Sequence, residues 1–150
     1  MQETLINFLK EQTCATICCK DDAGNPYCFN CYYLFGKDNA LLYFKTSTDS
    51  NHYLFLQNNP VIGGTILPDK LSRLVVKGVQ LQGEILEQGH PLAKDSFIRY
   101  HKKYPMGIAI KGEVFTIRIQ TMKMTDSSLG FGKKISWSRE LPAMESASAS

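Results

Sequence analysis

The chain has no large excess of charge of either sign and no long hydrophobic run, and these absences exclude whole classes of function. Its 17 basic and 14 acidic residues leave a net charge of only +3, too small and too dispersed to indicate nucleic-acid binding. No stretch approaches the roughly 18 apolar residues that a membrane span needs. The start, MQETLINFLK, has an acid where a signal peptide carries basic charge. We therefore expect a cytoplasmic protein that has neither nucleic acid nor membrane as a partner.

Cysteine is confined to one short part of the chain. All five thiols lie between Cys14 and Cys31, in two strand-like stretches, CATICC and CFNC, separated by the turn sequence DDAGNP. A hairpin built from them would put Cys18 or Cys19 near Cys28. A single C-x-x-C without a second pair is a weak zinc signal, and a strand sends Cys28 and Cys31 to opposite faces. The pattern favours structural free thiols over a metal or redox centre, and no metal site is predicted.

Common catalytic signatures are missing as well. The sequence contains no G-x-G-x-x-G, H-E-x-x-H or G-x-S-x-G, and LGFGKK lacks the first glycine, the hydroxyl residue and the following helix of a phosphate loop. The three histidines, His52, His90 and His101, lack the spacing of metal ligands. Any chemistry must therefore come from residues that the fold brings together.

Sequence periodicity predicts one β-rich domain over residues 1–140 and a disordered tail at 141–150. Helical spacing indicates short helices in ETLINFLKEQ, DSNHYLFLQNNP and PLAKDSFIRYHKKYP. Six stretches are typical of strands: CATICCK, PYCFNCYYLFG, ALLYFKTS, VIGGTIL, LVVKGVQLQGEIL and EVFTIRIQTMKMTD. The expected fold is mainly β (α+β), a six-stranded antiparallel barrel with short flanking helices. Aromatic-rich strands (CYYLF, LLYF) predict leftover apolar surface, which a homodimer would bury.

The end of the third strand, YFKTSTDSNH, gathers groups that bind phosphate. Thr46, Ser47 and Thr48 offer hydroxyls, Lys45 offers charge, and His52 lies in the first turn of the next helix. Donors at a helix start beside a cation form a natural phosphate cradle. The same residues also fit a plain Ser/Thr cap and turn, and both interpretations stay open.

The fifth strand carries a second polar arrangement. KGVQLQGE places Gly78, Gln80 and Gln82 on one face and Val79 and Leu81 on the other. Paired amides on a strand can hydrogen-bond the edge of a polar ring system. They are also typical of the solvent face of an amphipathic strand.

The closing segment, SSLGFGKKISWSR, contains the only tryptophan. Gly130 and Gly132 permit a sharp turn, which would lay Lys133, Lys134 and Trp137 over a neighbouring surface. Two interpretations stay open: Trp137 plugs the barrel or a dimer seam, or the segment closes a cofactor site.

The order of these segments over residues 5–139 resembles the pyridoxamine 5′-phosphate oxidase-like FMN-binding split barrels, and more narrowly the YhbP-like group of bacterial proteins. GVQLQGEI and LGFGKKISWSR are the most specific parts. The resemblance implies a six-stranded split barrel, a homodimer and two FMN sites built across its interface. Cofactor-binding positions carried over are Lys45, Thr46, Ser47 and His52 at the phosphate, Gln80 at the flavin ring, and Lys133, Lys134 and Trp137 near the cofactor.

Two departures qualify the resemblance. Flavin oxidases of this superfamily usually have Arg or Lys where His52 stands, and a basic residue near Gln80. A neutral histidine donates one hydrogen bond and no charge, so weaker or pH-dependent FMN binding is expected. The substrate-phosphate arginines of pyridoxamine phosphate oxidases are missing, so that vitamin-forming activity is not predicted.

Two function classes follow from the resemblance. The first is an FMN-dependent oxidoreductase that acts on a small molecule, in which the flavin supplies the redox chemistry and no residue stands out as a general base. The alternative is a non-catalytic protein that stores or senses flavin or haem, with His52 or His101 as candidate axial ligands.

Overall fold

A computed structural model describes residues 1–130 and 132–140, so the predicted tail at 141–150 lies outside the described residues. The three helices are α1 (Glu3–Glu11), α2 (Asn51–Asn58) and α3 (Ser96–Lys103). The strands are β1 (Cys14–Lys20), β2 (Pro26–Gly36), β3 (Leu41–Thr46), β4 (Val61–Ile66), β5 (Lys77–Ile85), β6 (Glu113–Asp126) and β7 (Lys134–Ser138). Short 3-10 turns occupy Pro91–Ala93, Pro105–Ala109 and Ser127–Leu129. The third predicted helix is thus divided, because it begins as a 3-10 turn and becomes α-helical only at Ser96.

Strands β1 to β6 form a closed antiparallel barrel. Neighbouring strands follow the order β3-β2-β1-β4-β5-β6, and β6 pairs with β3 to complete the circle. The alternation in the sequence locates all six of these strands, and the predicted split barrel with short flanking helices is confirmed. Among the described residues, no helix is both long and apolar enough to cross a membrane.

The seventh strand was not predicted, because the closing segment was expected to turn sharply and lie over a neighbouring surface rather than to pair with a strand. Strand β6 has 14 residues, enough to pair with two strands along one edge. Its residues 113–118 pair with β3, and its residues 121–125 pair with β7. Strand β7 therefore extends the sheet beyond the barrel.

Arg139 ties the two partners of β6 together where they diverge. Its Nε donates to the carbonyl of Ile119 at 3.0 Å. Its terminal nitrogen donates to the carbonyls of Asn39 at 2.7 Å and Ala40 at 3.2 Å, just before β3 begins. The planar guanidinium fork suits this task because it presents several donors in a fixed geometry.

A β-bulge changes which side chains of β6 face the core. Gln82 lies opposite Thr121, but the next residue, Gly83, lies opposite Ile119, so Gln120 is the extra residue. A Cβ atom at Gly83 would come within 2.5 Å of the carbonyl oxygen of Arg118. Glycine therefore permits the close approach of β5 to β6 at this bulge.

Apolar side chains fill two layers. The barrel interior is packed with side chains such as Ile17, Tyr33, Phe44 and Ile117, all fully buried. A second layer lies outside β3 and under α3, and its buried members are Leu41, Tyr43, Leu86, Ala93, Tyr100 and Val114.

This second layer removes the reason first given for a dimer. The aromatic residues of CYYLF and LLYF are buried within one chain, apart from Tyr32, which is 62% exposed. Strand β3 is covered on both faces, by the barrel core on one side and by α3 on the other. Apart from Tyr32, the aromatic residues of these two stretches therefore supply no surface for a dimer to bury, and the homodimer stays a prediction.

Candidate cofactor site

Polar groups of four residues meet where β3 ends and α2 begins, and we call these residues the hydroxyl cluster: Thr46, Ser47, Ser50 and His52. The Oγ1 of Thr46 contacts His52 Nε2 at 2.5 Å and Ser50 Oγ at 3.1 Å. Ser50 Oγ lies 3.2 Å from His52 Nε2 and donates to the carbonyl of Ser47 at 2.7 Å. Ser47 Oγ accepts from the amide of Asp49 at 3.2 Å. Three predicted site residues therefore lie together, and Ser50 joins them.

The start of α2 leaves backbone donors beside this cluster. Ser50 is the N-cap residue, but its side chain makes no capping hydrogen bond, because its hydroxyl is used within the cluster. The first amides of a helix have no acceptor inside the helix, and the helix dipole favours an anion there. From the sequence, Asp49 and Ser50 are both candidate caps of this helix, and nothing there indicates that Ser50 has a place in the site. Thr48 lies exposed in the same turn.

His52 is held flat against an aromatic ring of the barrel. Its imidazole stacks on Phe29 with the ring centroids 3.7 Å apart and the planes within 6°. Burial lowers the pKa of His52 below its ordinary value, so the ring is neutral at pH 7. It contributes hydrogen bonds to the cluster and no positive charge.

Lys45 does not join the cluster. Successive strand residues point to opposite faces, and Lys45 lies on the α3 side of β3. Its Nζ donates to the carbonyl of Gly107 at 2.7 Å and contacts His101 Nε2 at 3.0 Å. The predicted cation of the phosphate cradle is therefore placed elsewhere.

His101 is committed to the same contact. Its Nδ1 lies 2.8 Å from the carbonyl of Phe97, so Nδ1 must donate there, and Nε2 is left to accept from Lys45. Both ring nitrogens are used, and His101 is buried. An axial haem ligand needs a nitrogen that is free, so this geometry disfavours His101 in that role.

A second polar surface lies on the outer face of β4 to β7. It lines a cleft of about 710 Å³, with Gly63, Thr65, Gln80, Gln82, Thr121, Lys123, Ser136, Trp137 and Ser138 among its residues. Gln80 and Gln82 point outward while Val79 and Leu81 are buried, as the alternation predicts.

Lys123 supplies the basic residue that the sequence did not place near Gln80. The two residues are direct cross-strand partners, so their Cβ atoms lie about 5 Å apart. Lys123 is the one cation among the described residues that line the cleft. Only the pairing of β5 with β6 identifies it, because 43 positions separate the two residues in the chain.

The closing segment behaves partly as predicted. Gly130 and Gly132 have φ angles of 128° and 75°, values that glycine adopts readily, and they form the turn before β7. Lys133 and Lys134 are exposed at this turn. Trp137 is half-buried, packs on the barrel core and also lines the cleft with Ser136 and Ser138, so both interpretations of this residue stay open.

The hydroxyl cluster and the cleft lie at opposite ends of β6. Thr46 pairs with Glu113, whereas Gln80 pairs with Lys123 and Lys134 pairs with Thr125. Ten residues of a straight strand span roughly 33 Å. Along β6, the predicted site residues therefore form two separate groups within one chain.

The cysteines follow the predicted hairpin. Cys18 lies directly opposite Cys28, and Cys28 is exposed while Cys31 is buried on the other face; all five thiols are free. Burial raises the pKa of Cys31, which keeps it protonated. Over residues 1–130 and 132–140, no three His, Cys, Asp or Glu side chains converge as a metal site would require.

The fold is shared with proteins that bind haem or flavin. A haem-binding protein from Mycobacterium smegmatis superimposes with a TM-score of 0.72 at 14% identity, over 87% of this chain and 55% of that chain, so this chain spans little more than half of it. An FAD-binding protein from Mesorhizobium loti gives 0.63 at 18% identity, over 84% and 95%. The haem storage protein HutZ from Vibrio cholerae gives 0.61 at 12% identity, over 79% and 88%. At these identities the likeness shows the split-barrel fold alone.

Sequence similarity is closer to a different set of proteins. No protein-family model matches the chain. A UPF0306 protein from Photorhabdus laumondii is 34% identical over 132 residues, which covers 88% of this chain and 92% of the relative. A UPF0306 protein from Serratia proteamaculans is 34% identical over 142 residues, or 92% and 95%. The names of these relatives do not mention the YhbP-like group, so the similarity does not show that narrower grouping. On this similarity, which runs through nearly the whole length of both proteins, the chain belongs to the UPF0306 family.

Proposed function

We propose that this protein binds FMN and acts as an FMN-dependent oxidoreductase on a small molecule. The observation that carries the proposal is the hydroxyl cluster at the start of α2, where Thr46, Ser47, Ser50 and His52 surround the uncapped end of the helix. Among the structural neighbours, one is named as FAD-binding, which is in keeping with a flavin ligand.

The cluster fits a phosphate group. Hydroxyls, a neutral imidazole and helix amides are all able to donate hydrogen bonds to a dianion. Each hydrogen bond to a charged acceptor contributes about 1.5–3 kcal/mol. The side chain of Lys45 points away, and the carboxylate of Asp49 is close in the chain, so FMN affinity is expected to be moderate.

The flavin ring requires a second surface, and the cleft beside Gln80 fits it. Since the cluster and the cleft lie at opposite ends of β6, one FMN would use the cluster of one subunit and the cleft of its partner. We therefore propose a homodimer with two equivalent sites across its two-fold interface. Lys133 and Lys134 would lie at the rim of such a site.

The chain's own residues would position the ring and tune its charge. Bound FMN supplies the hydride or electron transfer itself. The amides of Gln80 and Gln82 would hydrogen-bond the polar ring edge, and Lys123 would favour negative charge there. Oriented donors of this kind hold the ring in one pose and leave its reactive face to a small substrate.

Haem remains the alternative ligand, because two structural neighbours are named for haem binding or storage. His52 would then be the candidate ligand, but its Nε2 contacts two hydroxyls that haem binding would have to displace. A phosphate would also have to redirect these hydroxyls, but it can then accept hydrogen bonds from them, whereas haem iron cannot. This difference makes FMN the better supported choice. We also propose a cytoplasmic location, since five free thiols suit a reducing compartment, and membership of the YhbP-like group.

The visible spectrum of the purified protein tests the ligand. Two bands in the blue and near-ultraviolet regions would indicate flavin, and a sharp Soret band would indicate haem. Titration of the apoprotein with FMN should give saturable quenching of flavin fluorescence. A protein that is colourless and does not quench FMN would contradict the proposal.

The double variant Thr46→Ala/Ser50→Ala tests the phosphate site. We expect FMN affinity to fall at least tenfold, because two hydroxyl donors to a charged acceptor are removed. Thr4→Ala on the exposed side of α1 is the matched control and should bind FMN as the wild type does. Thermal denaturation shows whether both variants are folded. If the folded double variant binds FMN with unchanged affinity, the cluster is only a helix cap and turn and does not bind phosphate.

Light scattering tests the homodimer. We expect twice the chain mass of 16.9 kDa at micromolar concentration. Mixing equal amounts of Thr46→Ala/Ser50→Ala and Gln80→Ala should restore full affinity to about one quarter of the FMN sites, since random exchange makes half of the dimers mixed and each mixed dimer carries one intact site. A monomeric protein that binds FMN fully would overturn the shared site but not FMN binding.

A further inference from the structure

The positive charge of this protein is concentrated in one segment. Residues 94–111, which contain α3 and the following 3-10 turn, hold five basic residues and one acid. The segment therefore has a net charge of +4, whereas the whole chain has a net charge of +3. The remaining residues of the chain together carry −1. The basic residues are Lys94, Arg99, Lys102, Lys103 and Lys111, and all are exposed.

The same segment exposes large apolar side chains. The exposed fraction is 52% for Phe97, 70% for Ile98, 83% for Met106, 63% for Ile108 and 67% for Ile110. Single exposed apolar residues are ordinary, but several close together indicate an interaction surface. We call these ten residues the basic–apolar patch.

Contacts with β3 hold the two parts of the patch together. Lys45 Nζ binds the carbonyl of Gly107 in the 3-10 turn and lies 5.9 Å from the ring centroid of Phe97 on α3. The buried ring of His101 lies 4.1 Å from that of Phe97. The patch is therefore a preformed surface, and its apolar residues need no rearrangement to be presented.

We propose that the basic–apolar patch docks on a membrane surface that contains anionic lipids. Its apolar side chains would enter the boundary between headgroups and acyl chains. Its lysines would reach the lipid phosphates, except Lys103, whose Nζ donates to the carbonyl of Tyr33 at 3.4 Å. The expectation that a membrane is not a partner rested on the lack of a spanning segment, which surface binding does not require.

Charge argues against a second copy of this chain as the occupant. A two-fold contact with the patch on the axis would place +4 against +4, and one with the patch off the axis would place it against other surface of the partner, although the chain outside the segment carries a net charge of only −1. Only a partner of opposite charge relieves this repulsion. The inference does not depend on FMN binding.

The composition of the patch favours lipid over an acidic protein. Four of its five cations are lysines, and lysine is depleted at protein–protein interfaces, whereas anionic leaflets attract clusters of lysine and arginine. A lipid surface also accepts protruding side chains without a matching pocket, which suits Met106 and Ile108.

Co-sedimentation with vesicles tests this inference. We expect the full-length protein to bind vesicles of phosphatidylcholine and phosphatidylglycerol in a ratio of about 70:30, and not vesicles of phosphatidylcholine alone. Binding should weaken several-fold when salt is raised from about 50 to about 300 mM, because charge drives the attraction.

Two variants separate the contributions of charge and apolar contact. Lys102→Gln/Lys111→Gln should lower the partition coefficient roughly 25-fold, since each basic residue near the surface contributes about fivefold. Met106→Ser/Ile108→Ser/Ile110→Ser should lower it at least tenfold. Leu71→Ser/Leu74→Ser is the matched control, because these leucines are equally exposed but lie outside the patch, and it should bind as the wild type does.

Four results would overturn the proposal. These are no binding to anionic vesicles at low salt, patch variants that bind as well as the wild type, a control that loses as much as they do, and patch variants that turn a dimer into monomers. Binding to polyglutamate but not to vesicles, lost in both patch variants, would identify an acidic protein as the partner instead. Circular dichroism shows whether each variant is folded.

Discussion

The two halves of β6 carry similar alternating sequences but have opposite surroundings. Over residues 113–118 the strand pairs with β3, and α3 covers its outer face, so that even the Thr116 side chain is buried. Over residues 121–125 it pairs with β7, and the outer side chains of Thr121 and Lys123 face an open cleft.

The covered half of β6 therefore contributes mainly to stability, and the open half is available for binding. A face that is covered by a helix contributes buried area and leaves no room for a ligand. A face that remains open keeps its polar groups available, at little cost to the fold. Substitutions at matched positions on the two halves should therefore have opposite consequences.

The largest expected effect is that of Tyr43→Ala. Tyr43 is the cross-strand partner of Thr116 in the first half of β6 and is buried under α3. Truncation of a buried aromatic ring costs about 3–5 kcal/mol of unfolding free energy. Urea denaturation measures this loss, and a loss below about 1 kcal/mol would show that α3 does not protect this face.

Arg139→Ala is expected to have the next largest effect, because Arg139 joins the two halves. It removes hydrogen bonds from a guanidinium to three backbone carbonyls, and such charged hydrogen bonds contribute about 1.5–3 kcal/mol. Hydrogen exchange should rise most in β7. Arg139→Lys is the matched control: it keeps the charge but loses the fork, so it should recover only part of the loss.

The surroundings of the two ends of β6 should also differ in how acid affects stability. His52 on α2 belongs to the hydroxyl cluster, which lies beside the Glu113 end of the strand. Burial lowers the pKa of His52 in the folded protein, so the unfolded chain takes up a proton more readily. Stability should therefore be complete above about pH 6.5 and should fall as the pH drops below it. His52→Gln should remove this part of the pH dependence, which denaturant midpoints at a series of pH values would reveal.

Asp126, at the far end of β6, should act only at lower pH. Burial opposes its ionisation, but hydrogen bonds from Ser128 and the charge of Lys77 outweigh burial and lower its pKa. Its contribution should be complete above about pH 3.9 and lost as the pH falls through the lower folded value. Asp126→Asn should weaken the pH dependence of the unfolding free energy only at acid pH, below about pH 3.9. A change in that dependence above about pH 5 would contradict this assignment.

The smallest effect on stability should come from Gln80→Ala. Gln80 is the cross-strand partner of Lys123 in the second half of β6 and is exposed. Its loss should change the unfolding free energy by no more than about 0.5 kcal/mol, while FMN affinity falls several-fold. A large loss of stability would mean that the open face is structural after all.

The barrel strands were predictable because their alternation has a physical cause. A strand between a core and a surface must place apolar residues at every second position, and the pattern of Val79, Gln80, Leu81 and Gln82 follows this rule. The same rule, applied to Lys45 and Thr46, would have separated these two residues before the structure was known. Ser50 left a weaker signal, since the hydroxyl oxygen of an N-cap serine usually accepts a hydrogen bond from a backbone N–H of the first helical turn.

The sequence by itself determined the six barrel strands, the β1–β2 hairpin that pairs Cys18 with Cys28, and the glycine turn before β7, because local alternation and backbone freedom decide these features. Only the tertiary structure decided that β7 pairs with β6, that Arg139 spans to the carbonyl of Ala40, and that Lys123 lies beside Gln80. These contacts join residues that are distant in the chain, and their free energy depends on which surfaces the closed barrel brings together. The concentration of charge at 94–111 was present in the sequence, but its exposure beside five apolar side chains was settled by how α3 packs on β3.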